Sequence, residues 1–189
     1  MGFVHPSFAF VLVDGLIAPR LFASLYRDYA GTIELEGSED LLEFGCGSGG
    51  IAERLAPRLT TGSLTCVDIS PPMVRIATRR MAKHDHVKCL TGRIEDLALA
   101  GASYDVVVIH NALHDVTEDE RASTVETLAS LLRPGGRLYF REPTVQPHGL
   151  PTGEYHTLMQ GAGLREVRSR EGRRFPMGPF LEAVFERPG

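Results

Sequence analysis

Closely spaced glycines with an acidic residue ahead of them stand out in the first half of the chain. Glu43 precedes Gly45, Gly47 and Gly49. Glycine allows backbone conformations with positive φ and lets a ligand approach closely, and the helix N-terminus that follows such a loop offers N–H groups to a ligand. Asp68 stands about 20 residues after the loop, where a carboxylate can accept hydrogen bonds from both hydroxyls of a ribose. The combination predicts a ligand that contains a nucleoside.

Two kinds of nucleoside ligand fit the spacing of these glycines. Counted with Gly50, they read G-x-G-x-x-G, the pattern of dinucleotide-binding loops. Counted with Glu43, they read E-x-G-x-G-x-G. A pyrophosphate is anionic and gains nothing from a neighbouring carboxylate, so Glu43 favours a cationic ligand. A tight turn between strand and helix, with no ligand, is the structural alternative.

The E-x-G-x-G-x-G stretch resembles motif I of the class I S-adenosylmethionine-dependent methyltransferases. Residues 104–114 resemble motif IV of that family, and residues 131–138 resemble its segment leading into strand 5. The resemblance runs from Leu41 to the C-terminus. It implies an α/β fold with a doubly wound, mostly parallel seven-stranded sheet in the order 3-2-1-4-5-7-6, strand 7 antiparallel and helices on both faces. It also implies S-adenosylmethionine as cofactor and S-adenosylhomocysteine as product.

The resemblance assigns residues to the parts of this cofactor. Asp68 would bind the ribose hydroxyls, and Glu43 with the loop Gly45–Gly49 would hold the methionine moiety. Ile69 and Met73 would pack on the adenine. The full set implied to bind the cofactor is Glu43, Gly45, Cys46, Gly47, Gly49, Asp68, Ile69, Met73, Arg93, Ile94, Glu95, His110 and Asn111.

The stretch expected to recognise the adenine edge departs from the family pattern. Relatives often carry Asp where Arg93 stands, and an arginine cannot accept a hydrogen bond from the adenine amino group. A backbone carbonyl, Glu95 or Asp96 therefore substitutes as acceptor, or Arg93 stacks on the ring. The backbone N–H of Ile94 is the expected partner of an adenine ring nitrogen.

Methyl transfer from a sulfonium proceeds mainly through proximity and orientation of the acceptor. A general base is needed only where the acceptor holds a proton at neutral pH. His114, just past predicted strand 4, is a candidate base or acceptor-orienting group because histidine titrates near pH 6.5; a histidine that hydrogen-bonds its own loop is the alternative. For His110, packing beside the cofactor is the alternative to a chemical role.

Further acceptor contacts are predicted from strand 5 and from the N-terminal segment. Glu142 could act as a base or bind an amine, and Arg141 could hold a carboxylate or phosphate, unless the two pair with each other. Tyr26 and Tyr29 could lie over the pocket with aromatic faces near the sulfonium, or pack against the sheet edge or a second subunit. The predicted catalytic residues are His114 and Glu142, and the predicted substrate-binding residues are Tyr26, Tyr29, His114 and Arg141.

Strands that alternate with helices are predicted to carry these residues. Strands are predicted over 41–44, 64–68, 87–90, 104–110 and 137–141, followed by extended segments over 164–175 and 180–187. Helices are predicted over 51–59 and 153–161, after Ser70 and after Thr117. The last two strands lack an intervening helix, so we expect an antiparallel hairpin. Residues 1–35 are predicted to form a helical extension, with an amphipathic helix after Pro19, and 36–189 the Rossmann-like domain.

Composition narrows the functional classes. Lys and Arg number 20 against 24 Asp and Glu, a formal net charge of −4, which disfavours nucleic acid as a partner. Cys46, Cys66 and Cys89 lack the spacing of a disulfide framework or zinc site, so we expect small core thiols, no metal and a cytoplasmic protein. No apolar stretch is long enough for a membrane span.

These observations predict a methyltransferase acting on a small-molecule or lipid-like acceptor, as a monomer or homodimer. An NAD(P)-dependent oxidoreductase is one alternative, although no Tyr-x-x-x-Lys pair is present and Glu43 opposes it. A non-catalytic S-adenosylmethionine-binding protein is the other.

Overall fold

Seven strands form one sheet in the computed structural model, which describes residues 21–146, 149–175 and 178–189. The strands are β1 (Asp40–Phe44), β2 (Ser63–Asp68), β3 (Val87–Thr91), β4 (Tyr104–His110), β5 (Leu132–Pro143), β6 (Arg165–Arg174) and β7 (Gly178–Glu186). Their order is β3-β2-β1-β4-β5-β7-β6, with β7 antiparallel to β5 and β6. The predicted fold and its terminal hairpin are therefore confirmed.

The helices follow the predicted alternation with strands. They are α1 (Ala23–Thr32), α2 (Ala52–Leu55), α3 (Pro71–Met81), α4 (Glu118–Leu131) and α5 (Thr152–Gly161). The helix predicted over 51–59 is shorter than expected, because α2 passes into a 3-10 turn over Ala56–Arg58 that contains Pro57, and proline disfavours a continuing α-helix.

Two predicted helix caps differ in detail from expectation. The hydroxyl of Ser70 makes no cap hydrogen bond to α3. Thr117 at the start of α4 donates its hydroxyl to the Glu120 carboxylate at 2.8 Å and makes no side-chain cap hydrogen bond to the helix backbone.

The described residues group into two compact units, the first ending at Asp96 and the second beginning at Leu97. In the first unit β1, β2 and β3 are parallel, and Leu41 and Leu42 lie in a core with no solvent exposure. The Arg58 guanidinium donates hydrogen bonds to the carbonyl oxygens of Ala30 and Ile33, at 2.5 and 2.6 Å. These bonds hold the C-terminal end of α1 in place. The predicted domain boundary near residue 35 stays a prediction.

The second unit contains β4 to β7 with α4 and α5. β4 is buried along nearly its whole length, as expected for a β-branched parallel strand. Tyr155 on α5 donates its hydroxyl to the carbonyl of Pro143 at 3.0 Å and packs edge-on against Phe140 at 4.8 Å between ring centroids. These contacts hold α5 beside the end of β5.

Two structural expectations concern membranes and metals. No helix in the described ranges has both the length and the apolar character needed to cross a membrane. Among the same residues, no group of three His, Cys, Asp or Glu side chains is arranged to hold a metal ion.

Candidate functional site

The glycine loop after β1 requires glycine at three positions. Gly45, Gly47 and Gly49 have φ values of 69°, 52° and 82°, which lie in the left-handed region that side chains disfavour. The N–H groups of Gly45 and Cys46 both donate to the carbonyl of Val67 in β2, at 2.8 and 3.0 Å. The loop therefore folds back over the end of the neighbouring strand.

Asp68, at the end of β2, joins this loop to the start of α3. One carboxylate oxygen accepts the N–H of Gly47 at 2.7 Å, and the other accepts the N–H of Ser70 at 2.8 Å. Burial raises the pKa of Asp68, and these two hydrogen bonds partly oppose that rise. Each carboxylate oxygen can accept more than one hydrogen bond, so both oxygens retain the capacity that a ribose diol requires.

Glu43 is a buried carboxyl group with few partners. Its side chain is 3 % exposed, it accepts the backbone N–H of Ala52, and the Cys66 thiol lies 3.9 Å from its Oε2. Burial, followed by the charges of Cys89 and Asp68, raises the pKa of Glu43 to about 8. A cation placed beside it would favour the ionised form, so this group suits a positively charged ligand.

The last glycine of the dinucleotide-like pattern has a packing role. A Cβ atom at Gly50 would lie 2.9 Å from Cε2 of Tyr26, and the Arg54 guanidinium lies 5.6 Å from the centroid of the same ring. Tyr26 thus packs on the glycine loop. Tyr29 has no exposed surface, so the structure supports the packing alternative for Tyr29, because α1 turns it into the core.

The segment expected to contact the adenine is only partly buried. Ile69 is 39 % exposed, whereas Met73 and Ile94 lie in the core. Arg93 pairs with Glu95 at 3.6 Å and with Asp96 at 3.9 Å. The two carboxylates offered as substitute acceptors therefore already neutralise the arginine.

In the second unit, Glu142 organises the loop that follows β4. Its carboxylate has no exposed surface and accepts the backbone N–H groups of Ala112, Leu113 and His114 at 2.6, 3.1 and 3.3 Å. It also lies 2.6 Å from Nδ1 of His114. Glu142 is thus a positioning residue with its oxygens engaged, which argues against the predicted direct base or amine ligand.

His114 is held between two carboxylates. Nδ1 faces Glu142, and Nε2 lies 3.4 Å from Oδ1 of Asp115. Burial lowers the pKa of His114, but the hydrogen bond and charge of Glu142, aided by Asp115, outweigh it and the pKa is raised. Sequence reasoning named His114 and Glu142 separately and missed Asp115, whose position next to His114 was the available signal.

Arg141 is buried in β5, which pairs with β7. The Arg141 side chain is 1 % exposed, its Nε donates to Glu182 at 2.6 Å, and it lies 5.2 Å from the ring centroid of Phe180. The structure gives Arg141 a charged partner in Glu182, and successive side chains in a strand point to opposite faces, which does not favour the suggested pairing of Arg141 with Glu142. The guanidinium has a structural partner, so Arg141 is not carried into the proposed function.

His110 and Asn111 contribute to this region in different ways. His110 is the register partner of Arg141 and is buried; burial and then the Arg141 charge lower its pKa to about 3, which keeps the imidazole neutral. This burial agrees with the packing alternative. Asn111 has φ 53° and donates its N–H to the carbonyl of Arg141 at 3.0 Å, which turns the chain sharply after β4.

Comparison with known proteins bears on this arrangement. Residues 41–136 match a family described as Methyltransferase domain. An uncharacterized methyltransferase of Mycobacterium bovis is 38% identical over 102 residues, which are 54% of this chain and 49% of that protein. A thiol S-methyltransferase of Homo sapiens is 31% identical over 129 residues, 66% of this chain and 51% of that protein. The chain spans about half the length of these curated relatives.

A solved structure resembles the whole fold. The N-methyltransferase NodS of Bradyrhizobium japonicum, in complex with S-adenosylhomocysteine, superposes with a TM-score of 0.74 at 21% identity, covering 94% of this chain and 91% of that one. At this identity the likeness concerns the fold. The family match decides between the two ligands that the glycine pattern allowed.

Proposed function

The chain belongs to the methyltransferase-domain family and uses S-adenosylmethionine, and on that premise we propose that it methylates a hydroxyl or thiol of a small or lipid-like acceptor, with His114 as general base. The observation that carries this proposal is the contact of 2.6 Å between His114 Nδ1 and Glu142. A carboxylate that accepts the Nδ1 proton leaves the Nε2 lone pair as the basic site of the neutral imidazole.

The surroundings of His114 suit proton uptake. Glu142 cannot rotate away easily because three backbone N–H groups bind it. Asp115 lies beside Nε2, so the imidazolium that forms when His114 takes a proton is stabilised at both nitrogens. Glu142 and Asp115 raise the pKa of His114, which makes the neutral imidazole a stronger base.

The proton balance indicates the class of acceptor. The bond between the methyl carbon and sulfur breaks, a bond from that carbon to the acceptor atom forms, and the sulfonium becomes a neutral thioether. A hydroxyl or thiol must also lose its proton, which passes to His114, whereas a neutral amine already offers a lone pair. The base therefore favours oxygen or sulfur, and one relative is a thiol S-methyltransferase.

The cofactor-binding roles in this proposal follow the geometry of the glycine loop and the end of β2. Asp68 binds the ribose hydroxyls with its two oxygens, and Glu43 faces the ammonium group of the methionine moiety. The exposed side chain of Ile69 packs on the adenine.

Turnover with defined acceptors tests the proposal. Purified protein is incubated with methyl-labelled S-adenosylmethionine and an alkanethiol, a phenol, a long-chain alcohol or a primary amine. We expect a labelled thioether or ether, and a fall in kcat of roughly 100-fold or more in His114→Gln with an unchanged Kd for S-adenosylmethionine. Asp68→Ala is the control that loses cofactor binding. Equal methylation of the thiol, phenol or alcohol by wild type and His114→Gln contradicts the proposed base.

A further inference from the structure

All three cysteines of the chain belong to one cluster in the first unit. Cys66 in β2 is the register partner of Glu43 on one side and of Cys89 in β3 on the other. Cys46 and Cys89 are also the thiol neighbours that raise the pKa of the Cys66 thiol. The three are unbridged thiols. Cys46 and Cys66 are buried as predicted, but Cys89 is partly exposed, because β3 is an edge strand.

The thiols of this cluster differ in their readiness to ionise. A hydrogen bond with Cys66 and, against the effect of burial, one with Thr78 lower the pKa of Cys89 to about 7. Burial raises the pKa of Cys46 to about 11 despite its hydrogen bond with Cys66. Hydrogen bonds to both neighbours raise the pKa of Cys66. Since the reactive form is an accessible thiolate, and Cys46 and Cys66 are buried whereas Cys89 is partly exposed, Cys89 is the candidate nucleophile of the cluster.

We propose that Cys89 and Cys66 form a peroxide-responsive thiol pair, in which Cys89 reacts first and Cys66 resolves it to a disulfide. The Cys89 thiolate attacks one oxygen of hydrogen peroxide, an S–O bond forms, the O–O bond breaks and hydroxide leaves. The Cys66 thiol then attacks the sulfenic sulfur, the S–S bond forms and water leaves. Two electrons pass from the two thiols to the peroxide, so the step is balanced.

The strand register supports the second step. Cys66 and Cys89 are directly paired on adjacent parallel strands, and neighbouring strands lie about 4.8 Å apart. This spacing lies within the range of Cα separations that a disulfide spans. Both side chains are on one face of the sheet because register partners on neighbouring strands point to the same side.

The disulfide would act on cofactor binding through Glu43. The Cys66 thiol lies 3.9 Å from Oε2 of Glu43, and a disulfide sulfur has no proton to donate. Glu43 would lose that contact, and we expect affinity for S-adenosylmethionine to fall by about 2- to 10-fold, the size of one hydrogen bond. The thiol pair thus makes cofactor binding responsive to oxidants, a property separate from methyl transfer.

Mass spectrometry of the full chain treated with hydrogen peroxide tests the chemistry. With dimedone present, we expect the sulfenic-acid adduct on Cys89, and without it a Cys66–Cys89 disulfide that dithiothreitol reverses. In Cys66→Ser the adduct should accumulate with no disulfide, and in Cys89→Ser neither should form. Cys46→Ser is the matched control, in which the disulfide still forms. Modification of Cys46 ahead of Cys89, or Cys89 sulfenic acid that never pairs with Cys66, overturns the proposal.

Binding of S-adenosylmethionine, measured by calorimetry before and after oxidation, tests the consequence. We expect the weakened affinity of the oxidised protein to be restored by dithiothreitol and the Cys89→Ser protein to be insensitive to peroxide. An unchanged affinity in fully disulfide-bonded protein overturns the link to the cofactor. Because peptide mapping needs no cofactor and no acceptor, this proposal and the proposed methyl-transfer chemistry can fail independently.

Discussion

Glu43 and Glu142 occupy equivalent places in their strands, but their carboxylates differ greatly in the number of hydrogen bonds that they accept. Each is the last residue but one of a parallel strand, β1 or β5, and each is at most 3 % exposed. Glu142 accepts three backbone N–H groups and faces Nδ1 of His114. Glu43 accepts one backbone N–H, from Ala52, and the Cys66 thiol lies 3.9 Å from its Oε2. Burial destabilises an ionised carboxylate unless hydrogen bonds from the protein replace those from water. The protein replaces them far more completely for Glu142 than for Glu43.

The difference separates two uses of a buried acid. Glu142 is satisfied within the protein, so its charge organises the loop after β4 and sets the orientation of His114. Glu43 is under-compensated, so its ionised form depends on a cation that binds beside it. A satisfied carboxylate therefore contributes to the structure of the site, whereas an under-compensated one contributes to ligand affinity.

The same isosteric substitution should act with opposite sign at the two positions. Glu142→Gln places an amide donor against the N–H groups of the loop, and we expect it to lower the free energy of unfolding by roughly 3 kcal/mol. Urea unfolding at pH 7 measures this, with Glu43→Gln as the matched variant. A loss at Glu43 as large as that at Glu142 would abolish the distinction.

Glu43→Gln should raise the free energy of unfolding in the absence of cofactor, by on the order of 2 kcal/mol at pH 7.5. The pKa of Glu43 is raised from 4.5 to about 8, so the unfolded state releases its proton first as the pH rises. The stability contribution of this group is full below pH 4.5 and is lost as the pH rises through about 8. Urea midpoints from pH 4 to 9 should decline more steeply in wild type than in Glu43→Gln.

Ligand binding should show the converse effect. Glu43→Gln should weaken binding of S-adenosylmethionine by about 10-fold, the size of one charge-assisted hydrogen bond. 5′-Methylthioadenosine, which lacks the ammonium and sulfonium, should bind both proteins alike. Calorimetry in two buffers with different ionisation enthalpies should also detect proton release when S-adenosylmethionine binds wild type. Equal loss of affinity for both ligands would assign Glu43 a structural role only.

The smallest expected effect concerns the histidine that Glu142 holds. The pKa of His114 is raised, so the stability from its charge is full below the unfolded value near 6.5 and is lost as the pH rises through the folded value. His114→Gln should therefore cost about 0.5–1 kcal/mol more at pH 6 than at pH 9. Chemical unfolding at the two pH values measures this difference. A cost that does not vary with pH would mean that the ionised form of His114 makes no special contribution.

The cofactor half of the candidate site follows from short stretches of sequence. Glu43, the glycine loop and Asp68 are within one β-α-β segment, where residue spacing and strand ends dictate their placement. The hydrophobic alternation likewise predicts the sheet and its terminal hairpin, since period and chain connectivity are local properties. These features could be predicted because they depend on residues that lie close together in the sequence.

The contacts between distant side chains could not be predicted in this way. His114 and Glu142 are 28 residues apart, and Arg141 and Glu182 are 41 apart. The sequence alone named the first two as candidates but left open which partner each would take, and it placed Arg141 among the ligands of the acceptor. The burial of Tyr29 and the clustering of thiols around Cys66 likewise depend on contacts between residues that are far apart in the sequence. The sequence by itself determined the alternation of strands and helices, the glycine loop and a nucleoside-containing ligand, because local pattern sets them. The tertiary structure decided the partners of the charged and thiol groups, because only strand register and the pleat bring those side chains together.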